Sequence, residues 1–103
     1  MDMPTIKIGK KTIKAPRPTM KDWREIVQYD KEERENADTM HFLDVMDARV
    51  GIIQKFYHLT DEQVNQLDPA DIYPAYVAQA RAVIGIVTEK VEQIPNAETG
   101  EDQ

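Results

Sequence analysis

The stretch Asp38–Tyr57, DTMHFLDVMDARVGIIQKFY, constrains the fold more than any other. On a helical wheel at about 100° per residue, Phe42, Leu43, Val45, Met46, Val50, Ile52, Ile53, Phe56 and Tyr57 fall within one arc of roughly 180°. Asp44, Asp47, Gly51, Gln54 and Lys55 fall on the other side. A helix on the rim of a small domain needs an apolar stripe of only about 100°. A half-cylinder must touch something on two flanks. The stretch therefore predicts a central helix, capped near Asp38, in a small helical bundle, or one partly covered by a partner. Arg49 breaks the arc near its middle.

The rest of the chain supplies candidate covers for that helix. Thr5-Ile6-Lys7-Ile8 and Lys11-Thr12-Ile13-Lys14 alternate with the two-residue period of a strand, around Gly9-Lys10. Gly at the first central position suits a tight hairpin turn. Ile6, Ile8 and Ile13 would face inward and the lysines outward, and a lone hairpin must lie on something to persist. Ala15-Pro16-Arg17-Pro18 is a stiff connector. Thr19 reads as an N-cap with Asp22 in the first turn, starting a helix from about Met20 to the low thirties with Met20, Trp23, Ile26 and Val27 on its apolar edge. Lys31–Asp38 has one apolar residue and reads as a fraying helix end or a solvated loop.

After the central helix, Thr60 and Gln63 have capping-box spacing, with Leu59 and Val64 placed as a hydrophobic staple. They predict a sharp turn at His58-Leu59 and a short helix over about Asp61–Gln66. Asp68-Pro69-Ala70-Asp71 is a second start signal. Pro74 follows closely, so a short turn at 69–72 and a restart at Pro74 are expected, with a helix to about Gln93. Tyr76, Val77, Ala80, Val83, Ile84, Val87, Val91 and Ile94 form its main stripe, the mate of the central helix. Ala75, Ala82 and Ile86 form a weaker second strip. The expected architecture is mainly α: a bundle of three to four helices with a short N-terminal β-hairpin, in one domain over 1–94. Residues 95–103 read as a disordered acidic tail.

Composition narrows the function. The 103 residues include no cysteine and no serine, which removes disulfides, thiolate metal sites and serine nucleophiles. His41 and Asp44 are three apart but lack a third metal ligand. Asp44 with Asp47, and Asp61 with Glu62, read as solvated charge, and the few glycines make no phosphate loop. No cofactor and no enzymatic activity are expected. No run approaches the roughly 20 apolar residues of a membrane span, and MDMPTIKIGKK lacks a signal-peptide core, so a cytoplasmic protein is expected. The net charge of −6 divides into +5 over residues 1–21 and −11 over the remainder. The acidic body disfavours nucleic acid. Arg49 has two readings: a stem laid on apolar neighbours and paired with a carboxylate of the same chain, or an anchor for a partner.

The order of these segments is familiar. IKIGKKTIKAP precedes PTMKDWREIVQYDKEE, then come LDVMDARVGIIQKFYHLTDEQV, QLDPADIYPAYVAQA and an acidic tail. A Trp-bearing helix follows a prolyl connector, and Phe56–Val64 forms a Phe-Tyr-x-Leu-Thr-x-Glu-x-Val elbow. Over about residues 5–94 the chain resembles the tail assembly chaperones of long-tailed bacteriophages and prophages of Gram-positive bacteria. The resemblance implies a non-enzymatic role in the host cytoplasm. Such a protein binds the long, helical tape measure protein and keeps it soluble until tail tube subunits polymerise around it, and is absent from the finished virion. It also implies that a frameshift often yields an extended second product, and the apolar helix faces suggest beside it that several copies coat the tape measure protein and self-associate. Two rival readings stand beside it: an acidic protein-binding inhibitor, and a nucleic-acid-binding module using Lys7, Lys10, Lys11 and Lys14. Within the central helix, the line Leu43–Met46–Val50–Ile53–Tyr57 is expected to be buried. The flank Phe42, Val45, Arg49, Ile52 and Phe56 is expected to meet the tape measure protein or another copy.

Overall fold

The computed structural model describes residues 3–92, and side chains as far as Val87. Strands β1 (Thr5–Ile8) and β2 (Lys11–Lys14) pair antiparallel in the register Ile6↔Ile13 and Ile8↔Lys11. The loop is two residues long, and Gly9 takes φ +60°, a left-handed conformation open to glycine at little cost. The pleat then sorts the side chains as expected. Ile6 and Ile8 are buried and Ile13 half-buried, while all four lysines are exposed. Ala15 N–H donates to Pro4 O at 2.9 Å, which ties the end of the hairpin to its start.

Helix α1 runs Met20–Glu35. Thr19 caps it in a reciprocal box: the Asp22 N–H donates to Thr19 Oγ1, and the Thr19 N–H donates to Asp22 Oδ2 at 2.8 Å. The charged stretch stays helical from Lys31 to Glu35, and only 36–38 form the exposed loop expected of it. Arg34 pairs with Asp30 at 2.9 Å, and Gln28 donates to Glu32, both one turn apart. Asn36 ends the helix by donating its backbone and side-chain N–H groups to Glu32 O.

Helix α2 runs Phe42–Tyr57. Its N-cap is His41, not Asp38, with Nδ1 accepting from the Leu43 N–H at 3.1 Å. The cap moves because Thr39 and Met40 turn back to hydrogen-bond Asn36 O, leaving Asp38 in an exposed turn. At the other end His58 adopts φ 60°, and the Leu59 N–H reaches back to Gln54 O at 3.0 Å. This is the sharp left-handed stop that glycine usually supplies. Thr60 then opens helix α3 (Asp61–Asn65) with the expected box to Gln63.

Asp68 caps a 3-10 turn over Pro69–Asp71, which leads directly into helix α4 (Ile72–Glu92). The expected restart at Pro74 does not occur. Pro74 is the third residue of α4, where a backbone N–H has no helical acceptor, so the missing donor does no damage. The end expected near Gln93 and the acidic tail at 95–103 lie outside the described residues.

Named contacts fix the directions of the long helices. Glu33 pairs with Arg49 and Glu25 with Lys55, so α1 runs antiparallel to α2. Arg49 lies over Tyr73 and Tyr76, and Gln79 Nε2 lies 3.5 Å from Ile52 O, so α4 rises in the same sense as α2. The fold is a small helical bundle with an N-terminal hairpin. Ile26, Ile53, Phe56, Gln79 and Val83 are its most deeply buried side chains. The buried face of α4 is rotated from the expected stripe. Tyr76 and Val83 are inside, but so are Gln79 and Ala82, whereas Ile84 and Val87 are exposed.

Candidate functional site

The five residues of the expected contact flank separate by height along α2. Phe56 is 1 % exposed and Ile52 9 %, so both belong to the core and offer no surface in the single chain. Val45 is half-buried. Phe42 is 72 % exposed. The line expected to be buried divides in the same way. Ile53 and Tyr57 are inside and Met46 and Val50 half-buried, but Leu43 is 59 % exposed. The wheel gave each residue an angle and no height. The first turn of α2 projects beyond the neighbours that cover its last two turns, so both sides of its apolar arc emerge there.

Arg49 follows the intramolecular reading. Its guanidinium pairs with Glu33 of α1 and lies 4.9 Å from the ring centre of Tyr73 and 5.4 Å from that of Tyr76. Cation–π attraction and the ion pair thus hold one charge between three helices. In the single chain the guanidinium is engaged by groups of its own chain. The pair is imperfectly satisfied, since Arg49 Nε and Glu33 Oε2 are buried without a hydrogen-bond partner. Tyr29 meets Tyr76 edge-on at 6.2 Å beside it. Burial first, then the Glu33 carboxylate, pushes the Tyr29 phenol up to about 12, and burial followed by Asp30 does the same to Tyr76.

Tyr73, on the first turn of α4, is 59 % exposed although Arg49 lies against its ring. Phe42 stands on the Arg49 face of α2, two helical turns earlier and about 10 Å along the axis. The end of the bundle where α1 stops and α2 and α4 start therefore carries Phe42, Leu43 and Tyr73 in the open. Spacing places Tyr73 on the stripe of α4, three before Tyr76 and four before Val77, but a helix expected to restart at Pro74 leaves it one residue outside. Gln79 was also missed. Among the described residues it is the buried polar side chain that joins α4 to the α2 backbone at Ile52, a tertiary contact with no local signal in the sequence.

At the opposite end, Arg17, Lys21, Asp22, Glu25, Lys55, His58 and Leu59 line an open groove of about 510 Å³. Its acids are engaged: Asp22 closes the helix cap, and Glu25 meets Lys55 at 3.6 Å. Among the described residues no three His, Cys, Asp or Glu side chains gather as metal ligands would, and no helix is long and apolar enough to cross a membrane. No family model, curated protein or solved structure matches this chain.

Proposed function

We propose that this protein is a non-enzymatic tail assembly chaperone that binds the tape measure protein and keeps it soluble until the tail tube forms around it. The observation that carries the reading is the exposed apolar end. Phe42, Leu43 and Tyr73 stand open together at one end of the bundle, whereas the other exposed large apolar side chains, Met20, Ile84 and Val87, lie elsewhere on α1 and α4. A protein that holds and releases helical clients without a nucleotide needs such a surface, and an amphipathic helix docks on one through a few apolar anchors. The order of segments resembles that family, and the acidic body would keep a loaded complex dispersed by repulsion. On this reading the chain works in the host cytoplasm and leaves before the virion is complete. Its frameshift-extended form, where made, would share the same surface.

Co-expression is the test. The tape measure protein should move from the pellet to the supernatant when this chain is present and co-purify with it. Equal insolubility with and without the chain contradicts the proposal. One observation favours a second reading, an acidic inhibitor module: Asp38, Asp44, Asp47 and Asp71 are all exposed around the same end. That reading predicts a complex with a basic nucleic-acid-binding protein that survives replacement of Phe42 and Tyr73 and dissolves in salt.

A further inference from the structure

We infer that the Phe42–Leu43–Tyr73 end takes an amphipathic helix whose apolar face is bordered by lysine or arginine. The inference rests on the proposed role for the source of that helix, but its chemistry comes from the charges around the surface. Asp38 lies in the turn leading to α2. Asp44 and Asp47 are on its first two turns, and Asp71 is two residues before Tyr73. All four are exposed, and none has an ion pair among the described residues. The nearby arginines are already neutralised within the chain, Arg34 by Asp30 and Arg49 by Glu33. The exposed Lys31 offsets one carboxylate. The surface is thus an apolar centre in a negative field, and charge complementarity selects a basic border on the helix it accepts.

The same charges argue against a second copy of this chain on that face. A two-fold contact would set the patch against itself and bring Asp38, Asp47 and Asp71 towards their counterparts. Like charges brought together in this way oppose association. The dimensions suit one helix. Tyr73 lies against Arg49, and the stretch of α2 from Phe42 to Arg49 spans two turns, about 10 Å, enough for anchors at i, i+3 or i+4, and i+7.

The experiment uses the full chain and two labelled amphipathic peptides of about 18 residues, or five helical turns. They share one apolar face and differ only in bearing Lys or Glu at its border. Fluorescence anisotropy should show the Lys-bordered peptide binding at least about 10-fold more tightly than the Glu-bordered one at ~20 mM salt, with the difference shrinking at ~200 mM. Phe42→Asp and Tyr73→Asp should each weaken Lys-peptide binding at least about 10-fold with an unchanged circular dichroism spectrum, since both side chains lie mostly outside the core. Replacing Asp38, Asp47 and Asp71 by Asn should abolish the preference and retain the apolar contact. Equal affinity for the two peptides, or binding of neither, overturns the inference. So does full binding by Phe42→Asp and Tyr73→Asp, or dimerisation of the free chain through this face. Solubilisation of the tape measure protein by the wild-type chain is scored separately. It can succeed while the peptide preference fails, which would sink the inference and spare the proposed function.

Discussion

Replacing Arg49 by Met probes the least exposed of the ion pairs among the described residues. Methionine keeps much of the apolar stem and removes the guanidinium, leaving Glu33 with no cation. The Arg49 side chain is 14 % exposed and that of Glu33 25 %. Breaking a fully buried pair costs about 3–5 kcal/mol, and an exposed pair contributes about 0–1 kcal/mol. This pair lies between those limits, at about 2 kcal/mol, and loss of the two tyrosine contacts adds about 1 kcal/mol. Arg49→Met should therefore destabilise by about 3 kcal/mol, a fall in Tm of about 12–24 °C. Urea unfolding followed through Trp23, the single tryptophan, measures it. The partner change Glu33→Leu should cost about 1 kcal/mol, because the arginine keeps its two rings. The double variant should cost no more than about 2 kcal/mol, because two apolar side chains leave no uncompensated charge. The cycle then yields a coupling of about 2 kcal/mol. Strict additivity, or a cost below about 0.5 kcal/mol for Arg49→Met, would refute the claim that this pair is locked inside the chain.

Other perturbations test the division of α2 by height and the chain's turns. Phe56→Ala should destabilise by about 3–5 kcal/mol, while Phe42→Ala on the same helix face should stay within about 0.5 kcal/mol of wild type in chemical denaturation. His58→Gly should stabilise by about 0.5 kcal/mol in the same assay, because relief of the left-handed strain slightly exceeds glycine's entropy cost. The phenols of Tyr29, Tyr57 and Tyr76 are all pushed up to about 12, Tyr57 by burial alone. Their ordinary value is about 10, so between pH 10 and 12 the unfolded chain binds fewer protons than the folded one. Stability should be fully retained below pH 10 and fall as pH rises through that window. Tyrosinate absorbance should rise in step with the loss of helical circular dichroism.

Elements set by local chemistry were readable in the sequence. The hairpin follows from isoleucine alternation around Gly9, and α3 follows from Thr60 and Gln63, because turn and cap geometry involve residues within four positions. The continuation of α1 to Glu35 was harder to see. Its support is a ladder of side-chain pairs, Asp30–Arg34 and Gln28–Glu32, and not apolar periodicity. The surface was misdrawn for a tertiary reason. Periodicity sorted α2 into two lines by angle, whereas exposure divides it by height, and the height at which α1 and α4 cover it depends on how the connectors place them. Arg49 was identified from sequence as the residue that breaks the pattern. Its partner Glu33, sixteen positions away within a charged run, carried no local signal.

Mapping the client contact on the isotope-labelled chain tests the central claim most directly. Backbone amide shifts should be recorded free and bound to a soluble helical fragment of the tape measure protein. Perturbations are expected at Phe42, Leu43, Tyr73 and the residues bordering them, with the amides of Ile53, Phe56 and Val83 nearly unmoved. An unperturbed Phe42–Tyr73 end, with shifts in the hairpin or throughout an opened core, would contradict that claim.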